Sequence, residues 1–299
     1  MKTHVNSFLN YLSIEKGFSG NTIVAYRNDL YSLATFLDQK FSYSAWKDLT
    51  TDALSEFVLD LQSREYSRTT IARKIASVKS FFSFLIHEGL MSSDPSETIR
   101  SPRIGRSIPK ALSEKQVERL LQSPMALKDP ERSRDKAMLE LLYATGIRVT
   151  ELVSLDLHDL DLAQGIVRCR GKGGKERIVP YHETAWEALD EYLGVARPTL
   201  LRQKRDESAL FLNQRGDRLT VQGFWLILKA HASRAGIDAS VTPHTIRHSF
   251  ATHMLRGGAS LRQVQEFLGH ASVATTQVYT HLTNEHVQSE YDRTHPRAD

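Results

Sequence analysis

The stretch RSPRIGRSIPK, Arg100 to Lys110, constrains the architecture most, because the sequence has one texture before it and another after it. It holds two prolines, four basic residues and no acid. Proline near both ends and the missing apolar period predict an extended linker. Composition leaves two uses open for it, a solvated loop or a strap along DNA.

Before that stretch the apolar residues recur at the period of an amphipathic helix. Val5, Phe8, Leu9 and Leu12 mark one helix, and Ile23, Tyr26, Leu30, Leu33 and Phe36 a second with Ser19 as its cap. TDALSEFVLDL, Thr51 to Leu61, gives a third. Ile71, Ile75, Val78, Phe82 and Leu85 give a fourth, with Arg73, Ser77 and Ser80 on its polar face. Four such helices predict a small independent bundle over residues 1–99.

After the stretch the pattern is mixed. SEKQVERLLQS and SRDKAMLELLYATG read as helices, the second stopped by Gly146. GIVRCRGKGGKERIVP reads as a β-hairpin with Lys172 and Lys175 at its tip, and ALFLN, Ala209 to Asn213, as a further short strand. From Val221 onward helices return, in GFWLILKAHASRAG, HTIRHSFATHMLRGG, SLRQVQEFLG and the segment holding Tyr279. The expected fold is mainly α with a small β-hairpin: a helical domain at 1–99, a basic linker at 100–110 and an α+β domain at 111–299.

A length of 299 residues suits two domains, and 40% hydrophobic with 25% charged residues is ordinary for a soluble globular protein. Lys and Arg exceed Asp and Glu by 39 to 35, a net charge of +4 that suits an anionic partner without requiring one. Cys169 is the only cysteine, which rules out an intramolecular disulfide and a multi-cysteine zinc site. The start, MKTHVNSFLNYL, lacks the apolar core and cleavage site of a signal peptide, and no apolar run approaches a membrane span, so the expected location is the cytoplasm.

The residues that could carry chemistry are ambiguous one at a time. Arg148 lies between the break at Gly146 and Glu151, so it either starts a helix, where anions are favoured, or pairs with Glu151. His244, Arg247 and His248 fall along one helix turn, and His244 and His248 have the i, i+4 spacing of a zinc site. No Glu follows His244 in the H-E-x-x-H manner and a guanidinium between them repels a dication, so no metal is expected and His248 and His253 read as packing residues. Lys172 fits a solvated turn, His270 a helix end, and Tyr279, in TTQVYTHL, an amphipathic aromatic.

Taken together they describe a phosphate site. Guanidiniums fork onto non-bridging oxygens while a lysine and histidines move protons. No carboxylate cluster is available to hold magnesium beside them, so the chemistry needs a protein nucleophile, and Tyr279 is the candidate.

ATGIRVTELVSLDLHDLDL, RGKGGKERIVP, HTIRHSFATHMLRGGASLRQVQEFLGHASVATTQVYTHL and the closing HPRA resemble the tyrosine recombinase (phage integrase) family. The likeness covers essentially the whole chain, is close to the Xer branch, and in tail and length is nearer to XerD than to XerC. It implies a SAM-like core-binding domain followed by the catalytic domain. Arg148 and Arg247 would bind the scissile phosphate, Lys172 protonate the leaving 5′ oxygen, His244 act as acid/base and His270 donate a further hydrogen bond. Tyr279 would attack phosphorus, leaving a 3′-phosphotyrosyl enzyme and a free 5′ hydroxyl. Ile147 stands where leucine is more usual, a conservative departure.

The resemblance further implies resolution of chromosome dimers at a dif-type site, a homo- or hetero-tetramer with a related recombinase on duplex DNA, a C-terminal segment packed into a neighbouring protomer, and control by an FtsK-type DNA translocase. No cofactor is implied, since the phosphotyrosyl bond stores the energy of rejoining, and no P-loop is present. Arg68, Arg73 and Lys74 on the fourth helix, Arg103 and Arg106 in the linker and Lys175 on the hairpin are the expected DNA contacts. The alternatives are a mobile-element integrase or type IB topoisomerase-like enzyme of the same chemistry, or an architectural DNA-binding protein with a dead site.

Overall fold

The computed structural model describes residues 1–102, 111–171, 176–201, 208–238, 240–269 and 291–298. The chain divides into two compact units, Met1–Ser107 and Ile108–Asp299. Most of the expected linker, 103–110, lies outside the described residues.

The first unit is built from α1 (Lys2–Ile14), α2 (Gly20–Phe41), α3 (Thr51–Ser63) and α4 (Arg68–His87), the four helices the apolar periods predict. Ser19 caps α2 by accepting from Thr22 N–H, and Ser67 caps α4 by accepting from Thr70 N–H. The inward stripes meet in an aromatic centre, with Phe81 5.4 Å from Phe8 and 4.8 Å from Trp46, ring to ring. One expectation for α4 fails: Ser77, read as surface, is fully buried. Its hydroxyl donates to Lys74 O at 2.8 Å, which satisfies the polar group inside the apolar stripe.

In the second unit α5 (Glu114–Gln122), α6 (Glu131–Thr145) and α7 (Val149–Ser154) precede a three-stranded antiparallel sheet of β1 (Leu160–Asp161), β2 (Ile166–Arg170) and β3 (Glu176–Pro180). The expected hairpin is formed by β2 and β3, pairing Val167 with Val179 and Cys169 with Arg177. Then come α8 (Glu183–Glu191), a π-helical stretch Tyr192–Ala196, α9 (Arg197–Leu201), α10 (Val221–Arg234), α11 (Pro243–Arg256) and α12 (Leu261–Leu268). The core gathers around α6, buried at every residue from Ala137 to Thr145 and stopped at Gly146 in the left-handed conformation expected of a terminating glycine.

ALFLN does not join the sheet; only isolated bridges, Asp156 to Ala209 and Leu212 to Arg218, involve it. Its residues 209–212 are buried, and their backbone groups are shared between main-chain partners, with Leu210 N–H donating to Leu155 O at 2.9 Å and Leu219 N–H to Phe211 O at 3.0 Å, and side chains. Arg197 Nη2 donates to Ala209 O at 2.7 Å, while Tyr192 hydroxyl donates to Leu210 O at 3.0 Å and accepts from Leu212 N–H at 3.1 Å.

The described end of the chain, 291–298, packs on its own second unit, while residues 280–290, on which the expected packing into a neighbouring protomer also falls, lie outside the described residues. Tyr291 hydroxyl donates to Ala144 O at 2.8 Å, and Arg297 Nη1 reaches both oxygens of the buried Glu140 at 3.0 and 2.9 Å. Gly257 makes this approach possible, since a Cβ there would lie 2.1 Å from Thr294 O.

Candidate active site

A helix ends with carbonyls that have no partner inside it. At the end of α12 three consecutive ones, of Phe267, Leu268 and Gly269, each face an arginine. Arg177 Nε donates to Phe267 O at 2.9 Å, and Arg247 Nη2 to Leu268 O at 2.5 Å. Arg148 Nη2 points at Gly269 O from 3.5 Å. The negative end of the helix dipole favours this collection of cations.

Each arginine reaches the cluster from a different element. Arg148 is the N-cap of α7, following the break at Gly146. Arg247 lies in α11, one turn into the helix, and also donates Nη1 to Gly146 O at 2.6 Å, so it ties the end of α6 to the end of α12. Arg177 projects from β3 on the inward face shared with Val179.

One carboxylate serves two of them. Glu151, 6% exposed, accepts Arg148 N–H at 2.8 Å and Arg148 Nη1 at 3.0 Å. Its two oxygens also take the fork of Arg177, Nη1 at 3.0 Å and Nη2 at 2.8 Å. Burial pushes the Glu151 carboxyl up, but hydrogen bonds and charge from Arg177 and Arg148 outweigh it, and the net shift is downward. Burial, seconded by the charge of Arg148, lowers Arg247 to about 10, which leaves it protonated at neutral pH. Both readings of Arg148 therefore hold: it starts a helix and pairs with Glu151.

Exposure separates the three guanidiniums. The Arg148 side chain is 39% exposed and that of Arg177 14%, while Arg247 is 9% exposed as a residue. His244 is exposed in the first turn of α11, one turn before Arg247, behind the Thr242–Thr245 capping box. His253 is buried with Nδ1 2.8 Å from Tyr143 hydroxyl, the packing role expected of it.

Lys172, His270 and Tyr279, with Lys175, Arg103 and Arg106, lie outside the described residues. In sequence Lys172 belongs to the turn between β2 and β3, and His270 directly follows Gly269. In the first unit Arg68 and Arg73 are exposed. Lys74 departs from its expectation as a surface cation. It is 6% exposed, its Nζ is 3.2 Å from Asp29 Oδ1 and 5.4 Å from the Tyr66 ring, and Asp29, also paired to Arg73, is 1% exposed. As placed, its charge compensates Asp29 inside the bundle.

Sequence reasoning missed Arg177. The signal was present: in a hairpin with Val167, Cys169 and Val179 facing the core, Arg177 has the inward parity, and a buried arginine requires a carboxylate.

The model of the phage integrase family matches residues 110–286, and that of the phage integrase N-terminal SAM-like domain residues 5–89. The chain belongs to the phage integrase family, the tyrosine recombinases, enzymes that cleave and rejoin DNA. A tyrosine recombinase XerC of Roseiflexus castenholzii is 49% identical over 299 residues, covering 100% of this chain and 95% of the relative. A tyrosine recombinase XerD of Listeria innocua is 46% identical over 298 residues, covering 100% of both. The two names lie so close in identity that they do not separate an XerC from an XerD character. Among solved structures, XerA recombinase is 31% identical with a TM-score of 0.50, covering 99% of each chain. XerH bound to a palindromic difH substrate shares the fold at a TM-score of 0.67 and 24% identity, covering 89% of this chain and 78% of that one.

Proposed function

We propose that the chain recombines duplex DNA at a short dif-type site and so resolves chromosome dimers before segregation. The observation that carries the reading is the set of arginines at the end of α12, with Arg148 the most exposed of them beside the buried Arg247. That arrangement suits a phosphodiester whose charge grows as a fifth oxygen approaches phosphorus.

In the proposed reaction the Tyr279 oxygen attacks the scissile phosphorus and its proton passes to His244. The bond to the 5′ oxygen breaks, Lys172 protonates that oxygen, and a 3′-phosphotyrosyl bond remains. Arg148, Arg247 and His270 hold the non-bridging oxygens throughout. A 5′ hydroxyl from a partner strand reverses the steps, which balances without nucleotide hydrolysis. In this reading the chain divides at 1–99, 100–110 and 111–299, and the DNA backbone is contacted by Arg68 and Arg73, by Arg103 and Arg106 of the linker and by Lys175.

Assembly as a homo- or hetero-tetramer on DNA, control by an FtsK-type translocase and a cytoplasmic location complete the proposal. Among the described residues no helix is long and apolar enough to cross a membrane. The test is to supply the chain with supercoiled DNA carrying two copies of the dif-type site of its own genome, alone and with any second Xer recombinase from that genome. Site-dependent deletion of the intervening segment is expected. Equal activity on scrambled sites, or none on either with both recombinases present, overturns the assignment.

A further inference from the structure

We propose that Arg177 is a positioning residue for strand cleavage: by occupying both oxygens of Glu151, it keeps Arg148 from folding onto that carboxylate and leaves its guanidinium for the scissile phosphate. The inference rests on the phosphate-binding role of Arg148 given above.

A carboxylate beside a guanidinium prefers the two-bond fork, which is shorter and stronger than a single contact. Glu151 has that fork with Arg177, at 3.0 and 2.8 Å, and gives Arg148 only one side-chain contact, Nη1 at 3.0 Å. Glu151 thus holds the Arg148 guanidinium at one nitrogen, with Nη2 at 3.5 Å from Gly269 O, while the side chain stays 39% exposed. Without Arg177, a buried carboxylate would be left with one cation in reach, and the pair would close.

Arg177 is well held for this role. Its Nε is fixed by Phe267 O at 2.9 Å, and its guanidinium lies against Gly269. A Cβ on Gly269 would stand 3.0 Å from Arg177 Cζ, Nε and Nη1, and the φ of +63° at that glycine already disfavours a side chain. The same contact joins the strand that follows the Lys172 turn to the residue that precedes His270. All three guanidinium nitrogens of Arg177 are engaged by protein oxygens, Nε by Phe267 O and Nη1 and Nη2 by the two oxygens of Glu151.

The experiment measures single-turnover formation of the covalent adduct on a nicked duplex carrying the site, with DNA affinity and its salt dependence measured in parallel. Wild type, Arg177→Ala, Arg177→Lys, Glu151→Gln and the double variant Arg177→Ala/Glu151→Gln are compared. Arg177→Ala is expected to slow adduct formation on the order of 100-fold, as for a displaced reacting group, with affinity and salt slope unchanged. Arg177→Lys recovers part of the rate, because an ammonium neutralises Glu151 without forming the fork. The double variant is expected to react faster than Arg177→Ala alone, since a neutral glutamine no longer draws Arg148 away.

A wild-type rate for Arg177→Ala overturns the proposal. So does a double variant slowed by the product of the two single effects, or a loss of affinity with a shallower salt slope, which would make Arg177 a phosphate contact. Should Arg177→Ala fail to fold, Arg177→Lys and Gly269→Ala carry the test: slower cleavage at unchanged affinity supports the role, and unchanged cleavage in both sinks it. If wild type forms no adduct, the recombinase reading fails and not the positioning role.

Discussion

Glu151 and Gly146 set the limits of substitution around the arginines. Glu151 takes four hydrogen bonds from two arginines. Its carboxyl is held below its ordinary range, so its contribution is in place above the unfolded value, about 4.3, and is lost only as pH falls through the lower folded value. Its ionisation therefore leaves neutral-pH activity untouched. Gly146 has φ +58°, and a Cβ on it would sit 2.3 Å from Phe250 Cδ1, while its carbonyl receives Arg247. Gly146→Ala combines a left-handed alanine with an overpacked ring, and should cost about 3 kcal/mol in denaturant melts. An unaltered midpoint would show that the ring can give way.

At the scale of elements, the buried charge on α2 and the buried apolar segment 209–212 are held by partners distant in sequence. Asp29→Ala strips the buried Lys74 of its counter-ion and should destabilise the first unit by about 3 kcal/mol in urea unfolding. Lys74→Met leaves Asp29 with Arg73 and should be nearly neutral for both stability and DNA affinity. Loss of affinity in that variant would restore Lys74 as a DNA contact. Tyr192→Phe removes a hydroxyl that serves Leu210 O and Leu212 N–H, and about 1–3 kcal/mol should go with it.

Ser19, Gly146 and the four apolar stripes of the first unit could be read because caps and periods are local. ALFLN carries the composition of a strand, yet its main-chain bonds to Leu155, Asp217 and Leu219 form only isolated bridges and its other backbone groups are met by the side chains of Tyr192 and Arg197, partners that a periodicity scan does not see. Of the site, Arg148 and Arg247 were legible as types and order; their meeting at the end of α12, and Arg177 with them, depends on four elements converging.

Across the whole molecule, the last residues bring protonation into the stability of the second unit. The His295 ring stacks on Tyr291 at 4.9 Å and lies 4.8 Å from that of His182, which caps α8. Burial pushes His182 down to about 3, and drives His295 well below the ordinary histidine value, with the charges of His182 and Arg297 adding to it; burial also lowers His253. A histidine depressed in the fold stays neutral while the unfolded chain takes up a proton, so stability is full above about pH 6.5 and falls as pH drops. The slope should reach about 1.4 kcal/mol per pH unit for each imidazole between roughly pH 6.5 and 5. His295→Phe should flatten it in thermal melts of the full chain; a slope unchanged in that variant would place the proton uptake elsewhere.

In the proposed reaction six residues spread from Arg148 to Tyr279 act on one phosphate through a covalent enzyme. Incubation with a nicked duplex from which the cleaved strand is lost, followed by denaturing electrophoresis and peptide mapping, tests it most directly. Wild type is expected to form a 3′-phosphate adduct on Tyr279, Tyr279→Phe none, and Arg148→Ala or Arg247→Ala almost none at unchanged DNA occupancy. An undiminished adduct in Tyr279→Phe, or no adduct from wild type bound to its site, would contradict it.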